Sequence, residues 1–192
     1  MEKLQSYLVI FFLALSLPAT SEPSPGKLSL EVDPATYLLG GYSIHMRLYP
    51  DTLPMWRLGA GVYSMDMPDA FIDMNSDNRD ENWDVEINRG VGLFAERYFD
   101  KSRTGWFVGV QTGTQKYELE NALLTTGRTD YTSALLMPYG GYLQELTPNI
   151  YIQYWAGIGY NKKIDGSTTL AGEGYDIAPF IGFATLHLGY KF

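Results

Sequence analysis

The chain contains two histidines, His45 and His187, and no cysteine. Thiolate nucleophiles, zinc–thiolate centres and disulfides are thereby excluded together. Ser43 and His45 stand two residues apart, the spacing that puts two side chains on one face of a strand. A serine nucleophile with a histidine base also needs a group to orient the base. The same face continues instead to Arg47 and Tyr49. The pair therefore reads as interior polar residues, with a lipid hydrolase as the enzymatic rival. Arg47 lies three residues before Pro50, Arg57 three after Pro54, and Glu96 four before Asp100. Two guanidiniums at matched distances from turns can share one carboxylate, which the planar fork of arginine binds at two points. The stretch Asp73-Met74-Asn75-Ser76-Asp77-Asn78, with Glu81 in the ninth place and Asp84 in the twelfth, copies the opening of a calcium loop. Asp73, Asn75, Asp77 and Glu81 are the candidate ligands for a weakly held Ca2+. Asn78 stands where the turn glycine belongs, and Asp80 where an apolar residue packs.

Strands must position these groups. Three tight polar breaks, at 50–54, 100–104 and 147–149, alternate with longer polar stretches at 66–83, 119–130 and 161–175. The chain therefore returns to the same side again and again, as an up-and-down sheet does. Between the breaks the residues alternate with period two. Trp56, Leu58, Ala60 and Val62 oppose Arg57, Gly59, Gly61 and Tyr63; Trp106, Val108 and Val110 oppose Phe107, Gly109 and Gln111. The segments 150–159 and 180–192 alternate in the same way, and 28–33, 42–49, 85–99 and 131–145 complete eight strands. The second face is glycine, glutamine and aromatic residues with isolated charges, which suits the crowded inside of a small closed barrel. Arg47, Arg57, Glu96, His45, Gln111 and His187 all fall on that face and form the expected interior polar network. Aromatics gather at both strand ends, Tyr49, Trp56, Tyr98, Phe99, Trp106, Tyr151, Tyr154, Tyr190 and Phe192 near the short turns and Tyr42, Tyr63, Tyr117, Tyr131, Tyr160 and Phe180 near the long loops. Such girdles are expected at two membrane interfaces. Arg89 interrupts the apolar set Val85, Ile87, Val91 and Leu93, so that part of its strand is expected at or above an interface, unless a bulge turns the side chain inward.

The first residues read as an address. A short polar start precedes the apolar run 7–17, followed by small residues at Ala19 and Ser21. Eleven apolar residues are too few for a spanning helix, which needs about 20, and the order is that of a secretory signal peptide. The expected organisation is a signal peptide over 1–21 and a barrel over 22–192. A net charge of −8 with no basic cluster argues against nucleic-acid partners.

The last residues, Leu186-His187-Leu188-Gly189-Tyr190-Lys191-Phe192, place Leu186, Leu188, Tyr190 and Phe192 on one face and end on phenylalanine. This run resembles the C-terminal assembly signal of bacterial outer-membrane β-barrels. With the hairpin rhythm and the leader, the chain resembles the small eight-stranded class that includes the OmpA membrane domain, OmpX and OmpW. The resemblance implies an all-β, eight-stranded antiparallel up-and-down transmembrane barrel in the bacterial outer membrane. Its partners would be outer-membrane lipid and, during biogenesis, the barrel-assembly machinery, and it would be a monomer. The expected role is structural or one of surface interaction, without enzymatic activity or cofactor beyond the Ca2+ named above. The alternative is a narrow OmpW-like conduit for small hydrophobic molecules or ions. The Ser43–His45 pair is only remotely similar to lipid-deacylating barrels, in which histidine precedes serine on the lipid-facing wall.

Overall fold

The structure, a computed structural model, describes residues 27–124 and 127–192. The leader expected over 1–21 lies outside them. Eight antiparallel strands, each hydrogen-bonded to its neighbours, form a closed ring: β1 (Leu28–Val32), β2 (Tyr42–Leu48), β3 (Trp56–Asp66), β4 (Trp83–Tyr98), β5 (Gly105–Asn121), β6 (Thr129–Glu145), β7 (Ile150–Gly166) and β10 (Phe180–Lys191). A two-stranded hairpin, β8 (Thr169–Leu170) with β9 (Glu173–Gly174), sits in the loop before β10. The ring closes where β1 pairs with β10 from Ser29↔Lys191 to Val32↔Leu188. Consecutive strands pair everywhere else, so no strand of the ring is left as an open edge along its whole length.

The period-two pattern sorts the residues as elementary strand geometry requires. Ser29, Glu31, Ser43, His45, Arg47, Arg57, Glu96, Gln111, Gln153 and His187 are buried inside the ring. Leu30, Ile44, Met46, Val62, Leu93, Trp106, Val108, Ile158 and Leu186 are exposed on its outside. Inward glycines make room for long neighbours. A Cβ on Gly59 would lie 2.6 Å from Arg47 Cδ, and one on Gly189 2.1 Å from Tyr151 Cζ. Alternating small and large residues is how a narrow barrel fills its interior.

Three expectations need correction. The strands β5 and β7 run on to Asn121 and Gly166, so the polar stretches beginning at 119 and 161 are partly strand. Asn88 is an extra residue on β4: Ile87 pairs with Tyr117 but Arg89 with Lys116. This bulge reverses the facing of everything above it. Val85 and Ile87 are thus 1% and 4% exposed and point inward, while Arg89 stays outside with Val91 and Leu93. The aromatic girdles are also thinner than their positions along the chain suggest. Tyr49, Tyr98, Tyr151, Tyr117 and Tyr131 are buried in the interior by strand parity. Trp106, Phe99, Tyr154 and Phe192 remain outside at the short-turn end, with Tyr160 and Phe180 at the other.

The first hairpin departs most from a regular meander. β1 has five residues and gives way to a short helix, α1 (Pro34–Leu38), capped by Asp33, whose Oδ1 accepts from Ala35 N at 2.8 Å. Proline at the first helical position suits that start. Gly40, at φ +73, turns the chain into β2, and a Cβ on Gly41 would stand 1.9 Å from Ser64 O. Above Val32 the ring therefore has no β1. Residues Phe180–His187 of β10 pair with β7 on one side only, and α1 packs on β2, β3 and β10 in place of the missing strand.

Candidate functional site: a balanced ion cluster and the cavity above it

At the short-turn end of the interior, parity and register bring Arg47, Arg57 and Glu96 together, with a fourth member that the alternation of 28–33 could have revealed. Glu31 shares the inward face of β1 with Ser29. Its Oε2 accepts from Arg47 Nε at 2.7 Å and its Oε1 from Arg57 Nη1 at 2.8 Å. Glu96 Oε2 accepts from Arg57 Nε at 2.6 Å, and Arg47 Nη1 lies 3.7 Å from Glu96 Oε1. The expected ratio of two guanidiniums to one carboxylate is thus corrected to two and two. Neutrality is what burial demands, since these four side chains are at most 1% exposed and a lone charge there would cost several kcal/mol, roughly.

Neutral donors complete the cluster. Tyr151 donates to Glu31 Oε1 at 2.7 Å and Tyr139 to Glu96 Oε1 at 2.8 Å. Gln153 donates to Glu96 at 2.9 Å and accepts from Arg57. The face of Arg47 lies 4.2 Å from the centroid of Phe94. His187 joins from β10: Trp155 Nε1 donates to its Nε2 at 3.2 Å, and its Nδ1 lies 3.0 Å from Glu31 Oε2. An indole N–H can only donate, so Nε2 accepts and the ring hydrogen sits on Nδ1, facing Glu31.

His45 and Gln111 stand above the cluster rather than in it. The His45 ring lies 4.6 Å from that of His187 and 5.2 Å from that of Phe94, and its Nδ1 has no hydrogen-bond partner. The interior hydrogen bond expected of His45 is therefore not made at that atom. Gln111 Nε2 donates to Tyr63 OH at 3.4 Å. Ser43 does not face His45 with a free hydroxyl; its Oγ accepts from Asp33 N at 2.6 Å. His45, Gln111 and Ser43 line a cavity of about 70 Å3, whose walls are otherwise largely apolar, including Met65, Ile87, Leu135, Met137, Ile181 and Phe183.

An apolar cluster, with Ile72, Trp83, Leu119, Tyr131 and Leu170, fills the long-loop end above the cavity. Tyr175 packs edge-on to Trp83 at 5.7 Å, and burial pushes its hydroxyl up to about 12. The loop over Asp73, Asn75, Asp77 and Glu81 is held by two short helical turns and by asparagine contacts. Residues Asp69–Ile72 form a short helix, α2, and Ser76–Asn78 a 3-10 turn. Asn75 Oδ1 accepts from Asp77 N, while Asn78 Nδ2 donates to Asp176 O at 2.7 Å and Asn78 Oδ1 accepts from Asp176 N at 2.9 Å. Among the described residues no three acidic or histidine side chains converge as metal ligands would.

No protein-family model, curated protein or solved structure matches the chain.

Proposed function

We propose that the protein is a small bacterial outer-membrane β-barrel with a filled interior, serving a structural or surface-interaction role through its long loops. The observation that carries this reading is the outward belt. Leu30 on β1, Met46 on β2, Val62 on β3, Leu93 on β4, Val108 on β5, Leu136 on β6, Ile158 on β7 and Leu186 on β10 are all 37% exposed or more. The belt encircles the barrel, whereas water-soluble monomers rarely expose contiguous apolar patches beyond a few hundred Å2, roughly. Exposed charge returns at Arg89 and Lys162 above it and at Arg97 and Asp100 below. Strands of 16 and 17 residues exceed the roughly 9–11 that a tilted strand needs to cross a bilayer, so their upper turns would stand clear of it.

The balanced cluster argues for a barrel closed to ions, because it occupies the interior with side chains whose charges cancel one another. The engaged Ser43 hydroxyl argues for a role without hydrolysis. In this reading the partners are outer-membrane lipid and the assembly machinery that would read Leu186, Leu188, Tyr190 and Phe192, and the protein acts as a monomer without a cofactor. Fractionation of expressing cells tests the location: the protein should sediment with outer membranes and migrate differently on gels with and without heating. Recovery as a folded protein without lipid or detergent would refute it. Planar-bilayer recording tests closure, and steady ohmic conductance would contradict it.

One observation favours the narrow conduit as a second reading, the apolar-walled cavity above the ion cluster. The cluster lies below that cavity and an apolar plug above it, which supports a chamber more than a through-channel.

A further inference from the structure

We propose that the upper edge of β10, from Phe180 to Leu186, is a docking site for an extended strand of a different polypeptide, which adds to the ring above β1 and runs antiparallel to β10. The site rests on the pairing of the strands; the choice of occupant rests on the membrane reading above.

Along an antiparallel strand, successive residues turn their N–H and C=O alternately to one neighbour and to the other. Asn161 N donates to Pro179 O and Lys191 N to Asn149 O, which assigns the odd residues of β10 to β7. Phe192 N donates to Leu28 O, which assigns the even residues to β1. The ladder with β1 ends at Val32↔Leu188. The N–H and C=O groups of Gly182, Ala184 and Leu186 therefore point into the seam, where they have no hydrogen-bond partner among the described residues. All three residues are exposed. Glycine is almost wholly backbone, so the exposure of Gly182 is exposure of these groups themselves.

The facing edge is closed. Gly41 N donates to Thr36 O at 2.8 Å, Asp66 N to Leu39 O at 2.8 Å, and Tyr37 OH to Ser43 O at 3.0 Å. The α1 segment thus bonds to β2 and β3, and it reaches β10 through a side chain, Thr185 Oγ1 donating to Asp33 Oδ2 at 2.8 Å. That bond leaves the backbone of the β10 edge free.

Three occupants compete for it. The chain's own continuation fails, because two residues beyond Val32↔Leu188 it would set Pro34 opposite Leu186, and proline has no N–H to give. A second copy fails because its free edge is again β10. Two antiparallel copies of one strand are related by a twofold axis perpendicular to the sheet, which points the loop ends of the two barrels in opposite directions. Copies inserted alike in one membrane cannot pair so. A strand of another polypeptide remains, held by main-chain bonds and selected by alternate side chains. Its outward residues would be apolar, because Phe180 and Leu186 beside them belong to the apolar belt and hydrocarbon leaves no open sheet edge unpaired. Large residues fit opposite Gly182, where a Cβ would meet nothing within 4 Å.

The test uses the full chain in detergent micelles, with amide hydrogen exchange followed residue by residue by NMR. In the protein alone, Gly182 and Ala184 should exchange about tenfold faster or more than Ile181 and Phe183, whose N–H groups face β7. Equal protection would show the edge already paired and overturn the proposal. The probe is a peptide copying residues 153–161 of β7, the strand that β10 pairs with on its other side. Antiparallel to β10 in the seam, it turns Tyr154, Ala156, Ile158 and Tyr160 outward and their N–H groups to β10. An excess of this peptide should slow exchange at Gly182 and Ala184 saturably, by about tenfold. N-methylation of the peptide at Ala156 and Ile158 removes the donors and should abolish the effect, whereas methylation at Trp155 and Gly157, whose N–H groups face away, should spare it. Equal protection by the two methylated peptides would mean adsorption to the belt, and no protection by the parent peptide would mean an edge that takes no strand; either result overturns the proposal. Ala184→Pro removes a seam-facing N–H and keeps the β7 ladder, so it should weaken the peptide's effect at Gly182 and leave Ile181 and Phe183 protected. If this variant fails to fold, the methylated peptides still decide. Because micelles replace the membrane, these outcomes are independent of where the protein resides in the cell.

Discussion

Arg57 on β3 and Glu31 on β1 meet across an intervening strand, with Arg57 Nη1 donating to Glu31 Oε1 at 2.8 Å. The same guanidinium reaches Glu96 on β4 through Nε at 2.6 Å. One side chain thus joins the first strand of the ring to the fourth. Residues two strands apart in a sheet lie about 10 Å from one another, a span that the two long side chains cover together.

Either carboxylate should matter more than a surface charge. Glu31→Gln and Glu96→Gln each leave the buried guanidiniums one negative charge short. Each should lower barrel stability by about 3–5 kcal/mol, the usual penalty for breaking a buried pair. Urea-induced unfolding of the protein in micelles, followed by tryptophan fluorescence, measures this. A loss below about 1 kcal/mol, typical of exposed pairs, would show the cluster to be open to water.

Two glycines on the same strand should respond oppositely to a methyl group. A Cβ on Gly189 would lie 2.1 Å from Tyr151 Cζ, whereas one on Gly182 meets nothing within 4 Å. Gly189→Ala should destabilise by about 1–3 kcal/mol, as overpacking does. Gly182→Ala should be neutral or slightly stabilising, since alanine loses less backbone freedom in a strand than glycine. The same unfolding assay compares them.

Asn78 should hold the loop that covers the long-loop end. Asn78→Ala removes both bonds to Asp176, each worth about 1 kcal/mol. Cleavage by trypsin at Arg79 in the folded protein should then rise by about tenfold or more, as local opening becomes easier. An unchanged rate would show the loop to be held elsewhere.

The C-terminal face is open to a test in cells. Tyr190 and Phe192 contact one another edge-on at 5.2 Å, and Phe192 N donates to Leu28 O at 3.1 Å where the ring closes. Replacing both rings with serine should lower the membrane-bound yield and raise degradation. Equal yield of the double variant and the parent chain would remove the assembly signal from the proposal.

Much of this was legible from residue order alone. Arg47, Arg57 and Glu96 share parity and distance from the tight turns, and these two facts suffice to bring them together. Glu31 was harder, because β1 has only five residues in which to show its alternation, and its contacts with Tyr151 and His187 depend on closure between β1 and β10. Arg89 hinted at a bulge but not at its effect: one extra residue leaves the apolar alternation of 85, 87, 91 and 93 intact while exchanging inside for outside. Tyr98 and Tyr151 show the same limit, since nearness to a turn fixes height in a barrel and says nothing of facing. In the calcium-like stretch, the carboxylate spacing was plain, but the docking of Asn78 on Asp176 is a contact over 98 positions that no local motif encodes.

Pairing inside the ring also shapes the molecule's outer electric field. Since Arg47, Arg57, Glu31 and Glu96 cancel one another, the net charge of −8 falls largely to groups at the two ends. Carboxylates predominate at the long-loop end, from Asp66 to Glu86 and again at Glu118, Glu120 and Asp130, while Lys27, Arg97, Lys101, Arg103 and Lys191 outnumber the acids at the short-turn end. The barrel therefore carries a permanent dipole along its axis, negative pole at the loops. In the proposed membrane reading, the two ways of threading it through a bilayer are not equivalent, because the loop-first direction must drag the more heavily hydrated pole across an apolar slab. In that reading the charge distribution distinguishes the two orientations before any loop meets a partner.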